Sequence, residues 1–99
     1  MKNRSWHQVV SDKKHIDREK IKARELKSST WWKQKIAEGV CHYCGRKFPP
    51  EKLTMDHVVP IARGGKSSRG NTVTCCFDCN QNKGLDTPVD MILNKIKKL

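Results

Sequence analysis

Apolar residues are spread thinly along this chain, and their spacing divides it into short elements. Residues 1–10 show no clear period; Trp6 and Val9-Val10 can tuck against the body of the protein or lie in a mobile arm. Ser11-Asp12 offers a helix cap ahead of a charge-rich run reaching about Lys27. Its sparse apolar positions are Ile16, Ile21 and Leu26, with Ala23 two turns beyond Ile16. This predicts a basic helix of modest amphipathicity, set against DNA, with a solvated helix or a disordered arm as the rival readings. Ser28-Ser29-Thr30 interrupts it. Thr30 is placed to cap a second helix, from 31 to about 38, with Trp32 and Ile36 facing inward and Gly39 as its stop.

Alternation takes over further on. Leu53-Thr54-Met55-Asp56-His57-Val58-Val59 reads as a strand, its inward positions being Leu53, Met55 and, past a register break, Val58 or Val59. Pro60 closes it. Residues 63–70 have the composition of a loop, in which Gly64-Gly65 permits positive φ or close approach of another backbone. Asn71-Thr72-Val73-Thr74-Cys75 forms the second, antiparallel strand, and a short helix follows to Lys83 and Gly84. Thr87-Pro88-Val89-Asp90 is a helix start with Thr at the N-cap and Pro at the first helical position. Met91, Ile92, Ile96 and Leu99 give that last helix an apolar face.

Composition changes the picture in one respect. With 99 residues, 35% of them hydrophobic and six aromatic, the core is thin, and small domains of this kind add a metal or disulfides. The stretch 91–99 is interrupted by four polar residues and cannot span a bilayer, so no membrane partner is expected. The basic start of the chain has no apolar stretch behind it, which argues against a secretory signal. A cytoplasmic location follows, where thiols stay reduced and paired Cys-x-x-Cys units read as zinc ligands.

Cys41, Cys44, Cys76 and Cys79 match a tetrahedral four-thiolate zinc site, each pair chelating from one turn. Thirty-one residues separate the pairs, enough to hold both strands and the loop. Zinc would then clamp the base of a β-hairpin to the following helix. Four cysteines leave no open coordination position, so this Zn2+ is structural rather than catalytic. Cys75 packs as a small apolar residue. His42, inside the first spacer, is a poor ligand.

The formal charge is +11, and residues 1–40 alone carry +6. A zinc-bound four-thiolate site lowers the total to about +9. The excess lies on the flanks, which suits a polyanion held by arms beside a cation-binding centre.

That centre is Asp56-His57. Alone, the dipeptide is most simply a surface pair without chemistry. In order, however, Cys-His-Tyr-Cys at 41–44, Asp-His-Val-Val-Pro at 56–60, Gly-Gly at 64–65, Asn71 and Cys-Phe-Asp-Cys-Asn-Gln-Asn-Lys-Gly at 76–84 resemble the HNH endonuclease family. The resemblance implies a ββα-metal core in the version stabilised by four cysteines. It implies that His57 is the general base for the attacking water and that Asp56 is a ligand of a catalytic metal. Asn71 would tie the hairpin loop and orient the base. Asn80 stands where the family name has its final His, and there the chain departs from the motif. A helix-capping role is the rival reading of Asn80.

Asp56 and Asn80 offer hard oxygen ligands, which favours Mg2+, with Mn2+ able to substitute, over Zn2+. The metal offsets charge at the scissile phosphate, and the products implied are 3′-hydroxyl and 5′-phosphate ends. Arg63 and Lys83 are candidate phosphate contacts, against a bland reading as solvated charges. Because neighbouring strand residues face opposite ways, convergence of Asp56 and His57 on one site predicts a ladder irregularity at that pair.

The expected whole is one small α+β domain: a basic helical segment over 1–40, a zinc-stabilised nuclease core over 41–86, and a C-terminal helix over 87–99 packed on the core. Its function would be metal-dependent hydrolysis of DNA, by nicking or double-strand cleavage. It needs no small-molecule cofactor, and the N-terminal segment could enlarge the core, bind DNA or pair two chains as a homodimer. The rival is a non-catalytic zinc module that binds nucleic acid; it accounts for the charge and the cysteines but not for Asp56, His57, Asn71 and Asn80 together.

Overall fold

A computed structural model describes residues 12–97; Trp6, Val9, Val10, Ser11 and Leu99 lie outside the described residues. The architecture is built round one antiparallel hairpin. Strand β1 (Leu53–His57) pairs with β2 (Thr72–Cys76), Leu53 opposite Cys76 and His57 opposite Thr72. Helix α3 (Phe77–Lys83) leaves β2 without a linker, Cys76 serving as its N-cap. Cys76 is thus the last strand residue and Cys79 lies in the first helical turn.

The other cysteine pair sits on a tight turn that packs on the same end of the hairpin. Gly45 N–H donates to Cys41 O at 2.9 Å, with Gly45 at φ 72°, a conformation that glycine adopts without Cβ strain. His42 N–H donates to Thr74 O at 2.9 Å, and Thr74 Oγ1 donates to Val40 O at 2.6 Å, fastening the turn to β2. All four Sγ atoms lie within 4.8 Å of one another. Cys76 N–H and Arg46 Nε each donate to a sulfur of the group at 3.4 Å. The Arg46 guanidinium draws the Cys44 thiol down to about 6, toward the thiolate that a metal needs. The four cysteines are positioned to bind a metal ion, and an all-sulfur tetrahedral set is that of structural zinc. Cys75 is fully buried outside the cluster, its thiol donates to Cys76 O, and burial pushes it up to about 12.

The hydrophobic core is correspondingly small: Cys41, Leu53 and Cys76, with Ile36, Tyr43, Phe48 and Cys79 packed against them. Helix α2 (Thr30–Ala37) contributes Ile36 and a buried Trp32. Its N-cap is Ser29 rather than Thr30. Ser29 Oγ donates to Leu26 O at 2.6 Å and accepts from Trp32 N–H at 3.2 Å, so one residue closes the preceding helix and opens the next.

Helix α1 (Lys13–Lys27) is capped by Asp12 and departs from expectation in what it buries. Ile21 is exposed, Ile16 and Leu26 are half-buried, and the covered positions are Ala23 and Glu19. The inward face of this basic helix therefore carries a carboxylate, satisfied by the loop after β1.

Three further expectations are corrected. In β1 the buried pair is Leu53 and Asp56, Met55 being half-buried, because Asp56 finds polar partners beneath the sheet. The β ladder runs unbroken through Asp56 and His57, without the irregularity that their convergence called for. Val58 N–H still donates to Asn71 O at 2.9 Å, and the backbone pairing gives way at Val59, where the side chain of Asn71 takes over as partner. Finally, α4 (Pro88–Lys97) buries none of its residues: Val89, Ile92, Leu93 and Ile96 are exposed, and Asp90 and Met91 are partly covered. An ion pair between Arg63 and Asp90, at 3.0 Å, tethers it instead. Among the described residues no helix is long and apolar enough to cross a membrane.

The metal should dominate stability. Structural zinc in small domains binds with about 10–16 kcal/mol, as much as a domain's whole folding free energy of about 5–15 kcal/mol. Cys76→Ser, or excess chelator, should release the metal and abolish the cooperative unfolding transition in tryptophan fluorescence. Cys75→Ser should keep one equivalent of metal by elemental analysis; loss of metal there would overturn the ligand set.

Candidate active site

The candidate site lies at the opposite end of the hairpin from the cysteines. Asp56 is 8% exposed; its Oδ2 accepts from Tyr43 Oη at 2.5 Å and forms an ion pair with Lys83 Nζ at 3.4 Å. Lys83, on α3 and 4% exposed, also donates to His57 O at 3.1 Å. A buried carboxylate is tolerable because an ammonium and a phenol meet it there. Burial and the bond to Asp56 push the Tyr43 hydroxyl well above its ordinary value, so it remains a donor. Among the described residues neither contact falls on Oδ1, which leaves that oxygen for a cation.

His57 looks the other way. Successive strand residues face opposite sides, and the partner of His57 Nε2 is Ser67 Oγ, at 2.9 Å, on the loop that α1 covers. Burial lowers its pKa below that of free histidine; Asp56 and Glu19 act against that shift, and Lys27 and Lys83 with it. The neutral imidazole is therefore the prevailing form at pH 7.

Asn71 fixes the loop between the strands. Its Oδ1 accepts from Val59 N–H at 2.9 Å, and its Nδ2 donates to Val59 O at 3.0 Å and to Lys66 O at 2.8 Å. The two glycines make that loop possible in different ways. Gly64 sits at φ 93°, and a Cβ on Gly65 would lie 1.7 Å from Val59 O. Asn80 is exposed within α3, whose N-cap is Cys76, so it does not cap the helix.

Asp56, His57 and Asn80 line one cavity of 270 Å³, together with Lys83 and the turn 60–62. Asn71 stands behind that cavity rather than in it. Arg63 is elsewhere, its guanidinium held by Asp90 at 3.0 Å and Leu85 O at 3.4 Å. Lys83 reaches the site but is buried on Asp56, so neither candidate phosphate contact is a free surface charge. The arrangement offers a hard carboxylate oxygen and an exposed amide on one side, and a neutral imidazole on the other. Such a set can hold a divalent cation and accept a proton from water.

Tyr43, Ser67 and Glu19 were not singled out by sequence reasoning. Tyr43 is a spacer residue of the cysteine turn, and nothing local announces a partner 13 residues away. Ser67 is one polar loop residue among several. Glu19 had a signal: it lies three residues after Ile16 and four before Ala23, in phase with the inward stripe.

A model of the HNH endonuclease family matches residues 41–95. The match takes in most of α4, beyond the motif stretch that ends at residue 84. The CRISPR-associated endonuclease Cas9 of Corynebacterium diphtheriae is 34% identical over 71 residues, covering 69% of this chain and 6% of that protein. The type IV methyl-directed restriction enzyme EcoKMcrA of Escherichia coli is 25% identical over 91 residues, covering 82% of this chain and 32% of that protein. The chain thus spans a third or less of the length of these relatives.

Lys83 is the residue whose loss this geometry penalises most. Lys83→Ala leaves Asp56 buried without its ammonium, and breaking such a pair costs roughly 3–5 kcal/mol. Urea unfolding of the metal-loaded protein should show that loss, while a change below about 1 kcal/mol, the scale of exposed pairs, would mean that the pair is not desolvated.

Proposed function

The chain belongs to the HNH endonuclease family, and from that premise we propose that it is a metal-dependent DNA endonuclease. The observation that carries this reading is the shared cavity of Asp56, His57 and Asn80. A zinc module that only binds nucleic acid has no use for a buried carboxylate, a neutral imidazole and an exposed amide gathered at one hairpin end. Both relatives are named as enzymes, an endonuclease and a restriction enzyme, which supports nuclease chemistry on DNA here.

The chain's own residues divide the work. Asp56, through Oδ1, and Asn80, through its amide oxygen, would hold Mg2+ or Mn2+, hard ions that suit an all-oxygen set. When bound, that ion supplies positive charge at the scissile phosphate. Tyr43 and Lys83 hold Asp56 in place. His57, neutral at pH 7, takes the proton of the water that attacks phosphorus. Asn71 holds the loop on which the partner of His57 sits. Hydrolysis of this kind yields 5′-phosphate and 3′-hydroxyl ends.

DNA is held mainly by charge. Lys13, Lys14, Arg18 and Lys20 are exposed on α1, and residues 1–40 carry the largest share of the +11 formal charge. One site nicks one strand; a homodimer would bring the second site that simultaneous double-strand cleavage requires. The thiolate cluster suits the reducing cytoplasm. The zinc-stabilised core runs over 41–86, with the segment 1–40 as its basic partner.

A supercoiled-plasmid assay tests the reading. Mg2+ or Mn2+ should support cleavage, EDTA should stop it, and His57→Ala should lower the rate by about 10²–10⁴-fold, the usual share of a general base. Cleavage unchanged in His57→Ala would remove the mechanism, and robust cleavage with Zn2+ but none with Mg2+ would remove the ion assignment. The pH dependence follows from the lowered pKa of His57. A base is active when unprotonated, so the rate should hold from pH 8 to 7 and fall only below the ordinary value of about 6.5. An acid optimum would contradict the role.

A further inference from the structure

The contact between α1 and the loop after β1 decides which nitrogen of His57 is free. Ser67 has one hydroxyl hydrogen. Its Oγ lies 2.6 Å from Glu19 O, a backbone carbonyl that can only accept, so the hydrogen is committed there. The same Oγ is 2.9 Å from His57 Nε2, and with its hydrogen spent it can only accept from that nitrogen. The imidazole must then carry its proton on Nε2.

Glu19 grips Ser67 a second time. Its Oε1 accepts from Ser67 N–H at 2.6 Å, and Glu19 itself is 2% exposed, an ionisable group buried on an otherwise basic helix. The bond from Ser67 N–H holds the Glu19 carboxyl below its ordinary range, which keeps it a pure acceptor at neutral pH. One turn earlier on α1, His15 Nε2 meets Gly65 O at 3.0 Å, so the helix clasps the loop at two points.

We propose that Ser67, held by Glu19 of α1, is a positioning residue that fixes the proton of His57 on Nε2 and so assigns proton acceptance to Nδ1. This rests on the general-base reading of His57 and adds to it a part for α1, which lies outside the matched stretch 41–95. A tautomer fixed in advance removes the unproductive form, in which the nitrogen facing the water already bears a proton.

The test has two arms on the full, zinc-loaded chain. In the first, long-range 15N–1H NMR of the imidazole is recorded at a pH where His57 is neutral. The wild-type ring should be the Nε2–H tautomer alone, Ser67→Ala should give a mixture, and Ser67→Thr, which keeps the hydroxyl, should restore the single form. In the second arm, Ser67→Ala should lower kcat for plasmid cleavage roughly 10-fold or more with KM little changed, the scale of losing an orienting partner, and Ser67→Thr should recover most of it. A mixed or Nδ1–H ring in the wild type overturns the proposal, and that measurement needs no variant to fold. An unchanged tautomer or unchanged kcat in Ser67→Ala overturns it as well. A wild-type chain that shows the single Nε2–H form but cleaves no DNA sinks the nuclease reading while leaving the positioning intact.

Discussion

Four sulfurs within 4.8 Å of one another are the constraint on which this fold depends. Two of the three residues at the centre of its hydrophobic cluster are themselves members of that group. Remove a bound ion from such a core and little apolar contact remains to offset chain entropy. The cluster joins the turn at 41–44 to the junction of β2 and α3, which fixes the angle at which α3 leaves the sheet. That angle decides whether Asn80 and Lys83 arrive over the hairpin end or miss it.

The site is then assembled from two sides of one strand. Beneath β1, Asp56 is held by Tyr43 from the cysteine turn and by Lys83 from α3. Above it, His57 is held by Ser67 from the loop and, through it, by α1. A ladder without irregularity keeps these environments apart. One is a desolvated ion pair; the other is a half-buried imidazole kept neutral by burial and neighbouring lysines. Since the pair ends the strand, both residues still reach the cavity at the hairpin tip. The proposed ligand and base roles call for different electrostatics, and the period of a β-strand separates the two environments.

Much of this was legible in the residues themselves. Spacing placed the four cysteines, alternation placed both strands, and Gly64-Gly65 announced a loop with unusual backbone demands. What could not be read depends on contacts between distant segments. The β1 pattern put Met55 inward because it is apolar, whereas Asp56 is the buried residue once Lys83 and Tyr43 are known. Arg63 and Lys83 looked like surface cations, since nothing local shows that Asp90 and Asp56 wait for them. The apolar spacing in α4 promised a buried face, yet its Val89, Ile92, Leu93 and Ile96 are exposed. Periodicity reports that a helix has a face and says nothing about what, if anything, lies opposite it.

The clasp between Glu19 and Ser67 spans 48 residues and crosses the start of the family match at residue 41. The contacts on Asp56, from Tyr43 and Lys83, lie wholly within the matched stretch. The contacts on His57 run through Ser67 to Glu19 and so reach outside that stretch to α1. That link depends on a single buried glutamate, on a helix that otherwise reads as a solvated basic arm.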